Sequence, residues 1–253
     1  MDRPAGLRAG ADLHIHTSDG DGMASISEIF DHVTGSTDLA VIAITEHDDI
    51  RPSLAALEAW ARGRYPFELV TGVEVTTRSG HVLGLFVDRP IRSFQTTGAT
   101  VAAIHDAGGL AVIPHPLSWL TRSVGARVMA RLLQDPETTP DAIEISQSPA
   151  ARLTRRRVLA LNESAWMLPM TGSSDAHFPP AIGGAVTSFE GSSAQDLRRS
   201  IESGAVQPRI CHSLSPAQLG WRNVVRQQWR GMSVTPRKII GPRVGRLLRR
   251  TAS

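Results

Sequence analysis

The feature that most constrains the fold is an alternation of short apolar runs with amphipathic stretches, repeated about seven times between residues 12 and 203. The first amphipathic stretch begins at Ser25, a good N-cap residue, and Glu28 three positions later predicts a capping box. Among the other predicted elements are a helix over Arg122–Leu133, a strand over Met167–Met170 and a last strand over Ala185–Phe189. Short connections between alternating strands and helices predict a parallel sheet covered by helices, either open or closed into a barrel.

Composition excludes several classes of protein. The chain has 253 residues, of which 41% are hydrophobic, and this is enough for one sizeable core. Its one cysteine, Cys211, cannot form an intrachain disulfide or a zinc site built from thiolates. Residues 1–10 are polar, which argues against a secretory signal, and no apolar stretch approaches the length of a membrane span. We therefore expect a soluble cytoplasmic protein, with peripheral membrane contact as an alternative.

The charge of the chain is divided unevenly. Residues 205–253 contain ten Lys and Arg residues and no Asp or Glu, although the whole chain has a net charge of only +3. We predict two regions: a domain over residues 1–204 and a basic, partly helical C-terminal extension over residues 205–253. The extension could pack on the domain, bind an anionic membrane surface or nucleic acid, or be disordered. We expect a chain ending near Gly204 to keep the activity of the domain but to lose retention on liposomes or RNA at low salt.

Imidazoles and carboxylates fall at the ends of the predicted strands. His14 and His16 share one face of the first strand, because side chains alternate along a strand. The carboxyl ends of parallel strands meet on one face of an α/β fold, and that face holds the site. The residues at or just after strand ends, with Asp21 in the first loop and His81 at the start of a strand, are His14, His16, Asp21, His47, Glu74, His81, His115, Asp175 and His177. Such a set predicts a metal site.

Each of these residues also has a structural explanation. His47 could lie in a solvated loop, Glu74 could be a buried acid with an amide partner, and His115 between two prolines could only form a rigid turn. An exposed pair on an edge strand would explain His14 and His16. The recurrence of such residues at successive strand ends favours the metal site.

Six motifs in register between Ala11 and Glu190 resemble the PHP (polymerase and histidinol phosphatase) domain family of metal-dependent phosphoesterases. These motifs are Asp-Leu-His-Ile-His, Thr-Glu-His-Asp, Gly-Val-Glu-Val, Gly-His-Val-Leu-Gly, Pro-His-Pro and Ser-Asp-Ala-His. The resemblance implies a distorted (β/α)7 TIM-like barrel, the PHP fold, with its metals at the carboxyl ends of the strands. The family often has Asp where this chain has Glu46, which is a small departure from the pattern.

The resemblance also implies two or three divalent metal ions. The first would be held by His14, His16, Glu74 and Asp175, the second by Glu74, His81 and His115, and the third by Asp21, His47 and His177. Asp19 is an alternative to Asp21 in the third set. Nitrogen and oxygen ligands without sulfur favour Mn, Fe or Zn, and the sequence does not choose among them.

The expected activity is hydrolysis of a phosphate mono- or diester by a metal-bridging hydroxide, with no separate catalytic side chain. Its substrate would be a small phosphoester or a nucleic-acid end. Some members of the family that act on nucleotides or short RNA carry an inserted subdomain between the motifs of His81 and His115. Here little chain separates Leu85 from the helix at Thr100, so the resemblance suggests an open pocket and weakens assignment to a nucleotide bisphosphate. The candidate substrate contacts are Arg78, Ser118, Arg122 and Glu144, and loop solvation explains them equally well.

Two other functions compete with this one. The chain could be a non-catalytic, metal-stabilised module that recruits an anionic partner through its basic extension. It could also be an amide or ring hydrolase on a similar barrel. The carboxylated lysine that such hydrolases use cannot be supplied here, because the only lysine, Lys238, lies in the extension.

Overall fold

The computed structural model describes residues 8–231, except for the side chains of residues 149, 150 and 216. In this range the strands form one mixed sheet in the order β7-β6-β5-β4-β3-β2-β1-β8-β9. The strands are β1 (Arg8–Ile15), β2 (Val41–Ile44), β3 (Glu68–Thr77), β4 (Gly80–Leu85), β5 (Leu110–Ile113), β6 (Ala142–Ser146), β7 (Met170–Ser173), β8 (Ala185–Glu190) and β9 (Gln207–Ile210). Strands β2, β4, β5 and β6 are buried along their whole length, as expected where both faces of a sheet are covered.

Helices connect most of the strands and cover the outside of the sheet. They are α1 (Ile26–Ser36), α2 (Arg51–Arg62), α3 (Thr97–Asp106), α4 (Ala126–Leu132), α5 (Pro149–Leu161), α6 (Ala194–Glu202) and α7 (Pro216–Leu219), followed by a helix over residues 221–231. The capping box predicted at Ser25 is present: its hydroxyl accepts from the Glu28 amide, and the Glu28 carboxylate accepts from the Ser25 amide. No helix in residues 8–231 is both long enough and apolar enough to cross a membrane.

The sheet is not wholly parallel. Strand β4 runs antiparallel to both β3 and β5, and β8 and β9 are antiparallel to their neighbours. The reversal of β4 has a direct consequence for the site. Because β4 runs against its neighbours, its first residues lie beside the last residues of β3, and Thr76 of β3 is paired with His81. A histidine at the start of a strand therefore reaches the same face as residues at the ends of other strands.

The sheet curls until its ends nearly meet. The segment after β7 returns to β1, where the Ala176 amide donates to the His14 carbonyl oxygen and the His16 amide donates to the Ala176 carbonyl oxygen. The buried carboxylate of Asp12 accepts from the backbone amides of Ser174 and Gly183, which ties β1 to the segment after β7. The predicted barrel is confirmed in this nearly closed form.

The structure differs from the sequence prediction at several element ends. The strand predicted over Met167–Met170 instead begins at Met170, because Met167 adopts a left-handed conformation (φ 52°) at the end of a helical turn over Asn162–Trp166. The helix predicted over Arg122–Leu133 begins only at Ala126.

Strand β9 was not predicted, because its four residues do not form an apolar run. Three of them are exposed in the structure. It lies just beyond the proposed boundary at residue 204 and pairs with β8, so the chain after that boundary still contributes to the sheet. Whether residues 205–253 form a separate unit stays a prediction, and residues 232–253 lie outside the described part of the chain.

Candidate metal centre

The predicted metal ligands all converge at the carboxyl-end face of the barrel. Strand β1 places His14 and His16 on one face, and their ring centres are 5.0 Å apart. The other imidazoles follow around the mouth: the rings of His16 and His177 lie 4.3 Å apart, and those of His47 and His81 lie 5.1 Å apart. Residues that are distant along the chain therefore form one cluster of nitrogen and oxygen donors.

Glu74 lies at the centre of this cluster. Its Oε2 is 3.2 Å from Nε2 of His14 and 3.0 Å from Nδ1 of His47. Its Oε1 is 2.8 Å from Nδ1 of His81 and 3.2 Å from Nε2 of His115. A carboxylate with each oxygen facing a different set of imidazoles has the arrangement of a ligand that bridges two cations.

Asp175 faces the two imidazoles of β1. Its Oδ1 lies 3.6 Å from Nε2 of His14 and 3.5 Å from Nε2 of His16. Asp175 holds this position with a left-handed backbone (φ 56°), and His115 is also left-handed (φ 32°). Such conformations are unfavourable for residues other than glycine and concentrate at functional sites.

A second part of the cluster is built from loops. Nε2 of His177 lies 3.2 Å from Oδ2 of Asp21, and Nε2 of His47 lies 3.8 Å from the same oxygen. His16 also reaches this part, with Nδ1 3.8 Å from Oδ1 of Asp21. Asp19, the alternative to Asp21, is exposed, so Asp21 is the carboxylate that faces the imidazoles.

Two buried carboxylates stand behind the imidazoles of β1. Oε1 of Glu144 is 2.9 Å from Nδ1 of His14, and its Oε2 accepts from the His115 amide. Oε1 of Glu46 is 3.2 Å from Nδ1 of His16, and its Oε2 accepts from the amide and hydroxyl of Thr17. A carboxylate in this position fixes which nitrogen of a histidine faces a metal and raises its basicity.

These two carboxylates were misjudged from the sequence. Glu144 was grouped with possible substrate contacts, but both of its oxygens are engaged behind His14 and His115, so the structure places it in a supporting role. Glu46 was noted only as a departure from the family pattern. The signal that could have identified Glu46 is its position in an apolar run directly before His47, where an unpaired acid would be costly.

The cluster leaves buried polar atoms without hydrogen-bond partners. The atoms that point into it and lack a partner are His14 Nε2, His16 Nε2, Asp21 Oδ1, His47 Nδ1 and Glu74 Oε2. Unsatisfied buried donors and acceptors are rare in folded proteins, because each costs free energy. Three sets of donors lie close enough to surround a cation: His16, Asp21, His47 and His177; His14, His16 and Asp175; and His47, Glu74 and His81. The donor set therefore fits divalent metal ions.

The charges of the cluster are strongly coupled. Burial lowers the pKa of His47, but the carboxylates of Glu74 and Asp21 outweigh this effect and raise the pKa to about 10. The pKa of His177 is likewise lowered by burial and raised more strongly by Asp21 and Asp175, to about 9.

The carboxylates respond in the opposite direction. Burial raises the pKa of Glu74, but the surrounding imidazoles lower it well below its usual range, and His177 has the same effect on Asp21. Without metal, the cluster is thus held together by protonated imidazoles and ionised carboxylates. A bound cation would take the place of those protons.

The remaining candidate substrate residues lie near the mouth. Arg122 is exposed and donates to the Thr77 carbonyl oxygen, and Ser118 is buried with no partner for its hydroxyl. Arg78 is exposed and donates to the Phe94 carbonyl oxygen. Sequence reasoning missed Arg155, which lines a small cavity with His115 and Glu144, because it appeared only as one basic residue among several on α5.

Comparisons with known proteins agree with the fold. A family model described as PHP-associated matches residues 164–206. The uncharacterized protein MJ1587 of Methanocaldococcus jannaschii is 32% identical over 129 residues, which cover 47% of this chain and 74% of that protein.

Solved structures share the architecture at low identity. PsfC from Pseudomonas syringae is 18% identical, with a TM-score of 0.63 over 90% of this chain and 99% of that chain. A two-domain protein from Bacteroides vulgatus, described as containing a predicted PHP-like metal-dependent phosphoesterase, is 18% identical, with a TM-score of 0.62 over 81% of this chain and 65% of that chain. An amidohydrolase from Chromobacterium violaceum with bound sulfate is 19% identical, with a TM-score of 0.54 over 79% of this chain and 98% of that chain.

The fold and the cluster define a class of protein: an α/β barrel with a cage of imidazoles and carboxylates at its mouth. Within that class, the chain belongs to the PHP domain family.

Proposed function

We propose that this protein is a hydrolase that cleaves phosphate mono- or diesters with the help of two or three divalent metal ions, Mn, Fe or Zn. The observation that carries the proposal is the set of buried imidazole and carboxylate atoms that converge around Glu74, several of which make no hydrogen bond and face only one another. Metal ions held there would neutralise phosphoryl charge and lower the pKa of water toward roughly 7.

A different set of residues would hold each metal ion. Glu74 would bridge two positions, one completed by His14, His16 and Asp175 and the other by His81 and His115. Asp21, His47 and His177 would hold the third. Glu144 and Glu46 orient the imidazoles of β1 by accepting from the nitrogens that face away from the centre.

The rim supports an anionic substrate. Arg122 lies beside the centre, since the His81 amide donates to its carbonyl oxygen, and Arg155 lines a cavity with His115. Guanidinium groups suit phosphoryl oxygens, which they bind with two parallel hydrogen bonds. Within residues 8–231 neither Arg122 nor Arg155 forms an ion pair with a carboxylate, so both have donors available for substrate.

An amide hydrolase is the second candidate, because the fold is similar to that of the amidohydrolase from Chromobacterium violaceum. The cluster in residues 8–231 contains no lysine that could carry a carboxylate, since the only lysine of the chain is Lys238. The chemistry of the donor set therefore favours phosphoesters.

The test begins with the full chain, purified without chelators and analysed for bound metal. A panel of phosphate monoesters, phosphate diesters and amides, each with added Mn, then separates the candidates. We expect turnover of phosphoesters and its loss in Glu74→Gln, with Glu58→Gln, an exposed carboxylate on α2, as the matched control. Metal-loaded protein that is silent across the panel would instead favour a non-catalytic module, and protein without metal would contradict the proposal.

A further inference from the structure

The helix over residues 221–231 has two different faces. Gln227 is buried, Val224, Arg230 and Gly231 are partly buried, and the face opposite is exposed. This helix follows α7 and lies beyond the predicted domain boundary, yet its last turn reaches the loop that carries Asp21. The PHP-associated family model ends before this helix, at residue 206.

Arg230 joins this helix to the Asp21 loop. Its Nη2 donates to the backbone carbonyl oxygens of Ser18 and Gly20, the latter at 2.8 Å. The next residue, Gly231, lies so close to the loop that a Cβ built on it would be 3.3 Å from Oδ2 of Asp21. Both sides of the loop just before Asp21 are therefore held by one guanidinium.

We propose that Arg230 is a positioning residue for the third metal site, and this inference rests on the proposed function. Asp21 lies on a loop with no strand to fix it, and its Oδ1 has no hydrogen-bond partner. Two charge-assisted hydrogen bonds to the neighbouring carbonyl groups restrict the backbone that carries the carboxylate. Without them the loop would sample conformations in which Asp21 and His177 no longer face the same point.

The test measures metal binding to the full chain as well as activity. We expect Arg230→Ala to bind Mn at the weakest position roughly tenfold less tightly, as is typical when a residue supporting a ligand is lost. Arg230→Lys, which keeps the charge and one donor group, should restore part of the affinity. Two control variants should behave as wild type: Gln228→Ala, on an exposed position of the same helix, and Arg64→Gln, an exposed arginine elsewhere.

A double variant shows whether Arg230 acts through Asp21. If it does, adding Arg230→Ala to Asp21→Ala will cause no further loss of Mn affinity, whereas additive losses would overturn the inference. Unchanged Mn binding and kinetics in Arg230→Ala would also overturn it while leaving the proposed function intact. If the wild-type chain binds none of Mn, Fe and Zn, the proposed function itself fails.

The outer face of the same helix carries an independent feature. Trp221, Val225 and Trp229 recur every four residues, so they form one stripe, and their exposed fractions are 66%, 66% and 60%. Arg222 and Arg226 follow the same spacing beside the stripe and line a groove with it. Large apolar side chains in a continuous exposed row mark an interaction surface.

We infer that this stripe docks on an anionic membrane surface. Amphipathic helices that bind membranes combine Trp and aliphatic residues on one face with adjacent cationic residues. Residues 205–253 contain no carboxylate, so nothing in this region opposes a negative surface. Nucleic acid is less suited, because Val225 occupies the centre of the stripe and an aliphatic side chain offers no ring for a base to stack on.

The inference predicts retention of the full chain on sedimenting vesicles of phosphatidylglycerol and phosphatidylcholine but not on phosphatidylcholine alone. The double variant Trp221→Ala/Trp229→Ala should lose roughly tenfold in binding. Met167→Ala, which removes another exposed apolar side chain, is the control. Because residues 232–253 are present in every variant, a difference reports the helix itself.

Equal vesicle binding by the tryptophan variant and wild type would overturn the inference, and so would binding of a single-stranded RNA oligonucleotide in place of vesicles. Substitution is preferable to the truncation near Gly204 suggested by the sequence. That truncation would remove β9 from the sheet and the Arg230 contact from the Asp21 loop, so its effect on hydrolysis would not isolate the surface stripe.

Discussion

The two parts of the candidate metal centre are built by different means. The inner group consists of His14, Glu74, His81, His115 and Asp175, and its first three members sit on strands. The outer group consists of Asp21, His47 and His177, and all three lie on loops. The side chains of His14 and Glu74 are 0% and 1% exposed, whereas those of His47 and His177 are 15% and 18% exposed.

The difference teaches how much support each kind of position needs. Strand residues are oriented by the sheet, whose hydrogen bonds fix side-chain direction, and the inner group has further support from Glu144 behind His14 and from Ser123 behind His115. The outer group depends on contacts that the sheet does not supply: Glu46 behind His16 and Arg230 on the loop. We expect the inner positions to bind metal more tightly and the outer position to be the one that conditions can empty.

The largest effect is expected from Glu74→Gln. This change keeps the size of the side chain but removes the charge that both oxygens present to four imidazoles, those of His14, His47, His81 and His115. We expect loss of at least two metal equivalents by elemental analysis and a fall in phosphoester turnover beyond the roughly 100-fold that loss of a supporting residue costs. Retention of the inner ions in this variant would show that the centre is not organised around Glu74.

The two supporting carboxylates should separate the groups. Glu144→Gln weakens the hold on His14, and Glu46→Gln weakens the hold on His16, which faces both groups. Each change should cost about 10–100-fold in metal affinity or turnover. Titration with Mn should show the loss at the tight positions for Glu144→Gln and at both the tight and the weak positions for Glu46→Gln, because His16 belongs to both donor sets. Identical titration curves for the two variants would break the comparison between inner and outer groups.

Metal binding at the outer position should depend on pH. The pKa of His47 is raised to about 10 and that of His177 to about 9, so both imidazoles hold protons at pH 7 in the metal-free protein. A metal must displace those protons, and its affinity should rise about tenfold per pH unit for each proton released. Mn titrations between pH 6 and 9 should therefore show that the weak position needs the highest Mn concentration to fill, and that this concentration is greatest at low pH.

The free energy of unfolding of the metal-free protein should fall at high pH, and bound metal should offset that fall. Because the folded-state pKa values of His47 and His177 are raised, their contribution to the metal-free protein is fully present below about pH 6.5 and is lost as pH rises through about 9 to 10. Bound metal compensates for that loss. The melting temperature difference between Mn-loaded and metal-free protein should widen from pH 7 to 10, and a constant difference would contradict this account.

Much of this centre could be predicted, because apolar runs in the sequence indicate where the strands end. His14, His47 and His115 each adjoin an apolar run, and parallel strands bring such positions together. Supporting residues were harder to predict, since Glu144 and Glu46 also adjoin apolar runs and only coordinates show which way a carboxylate points. The role of Arg230 could not be predicted, because its contact with Gly20 spans 210 residues and has no local pattern.

The smallest effect that tests the comparison comes from Gly20, in the loop of the outer group. A Cβ at this position would lie 2.1 Å from Oε1 of Glu46, the atom that faces His16. Gly20→Ala must therefore displace the Glu46 carboxylate, at a cost of about 1–3 kcal/mol in the free energy of unfolding. Gly125→Ala, at a position with open space around it, is the matched control. Weaker binding only at the positions that His16 faces would support separate construction of the two groups, whereas equal weakening at every position would mean that Glu46 and Glu144 support one undivided centre.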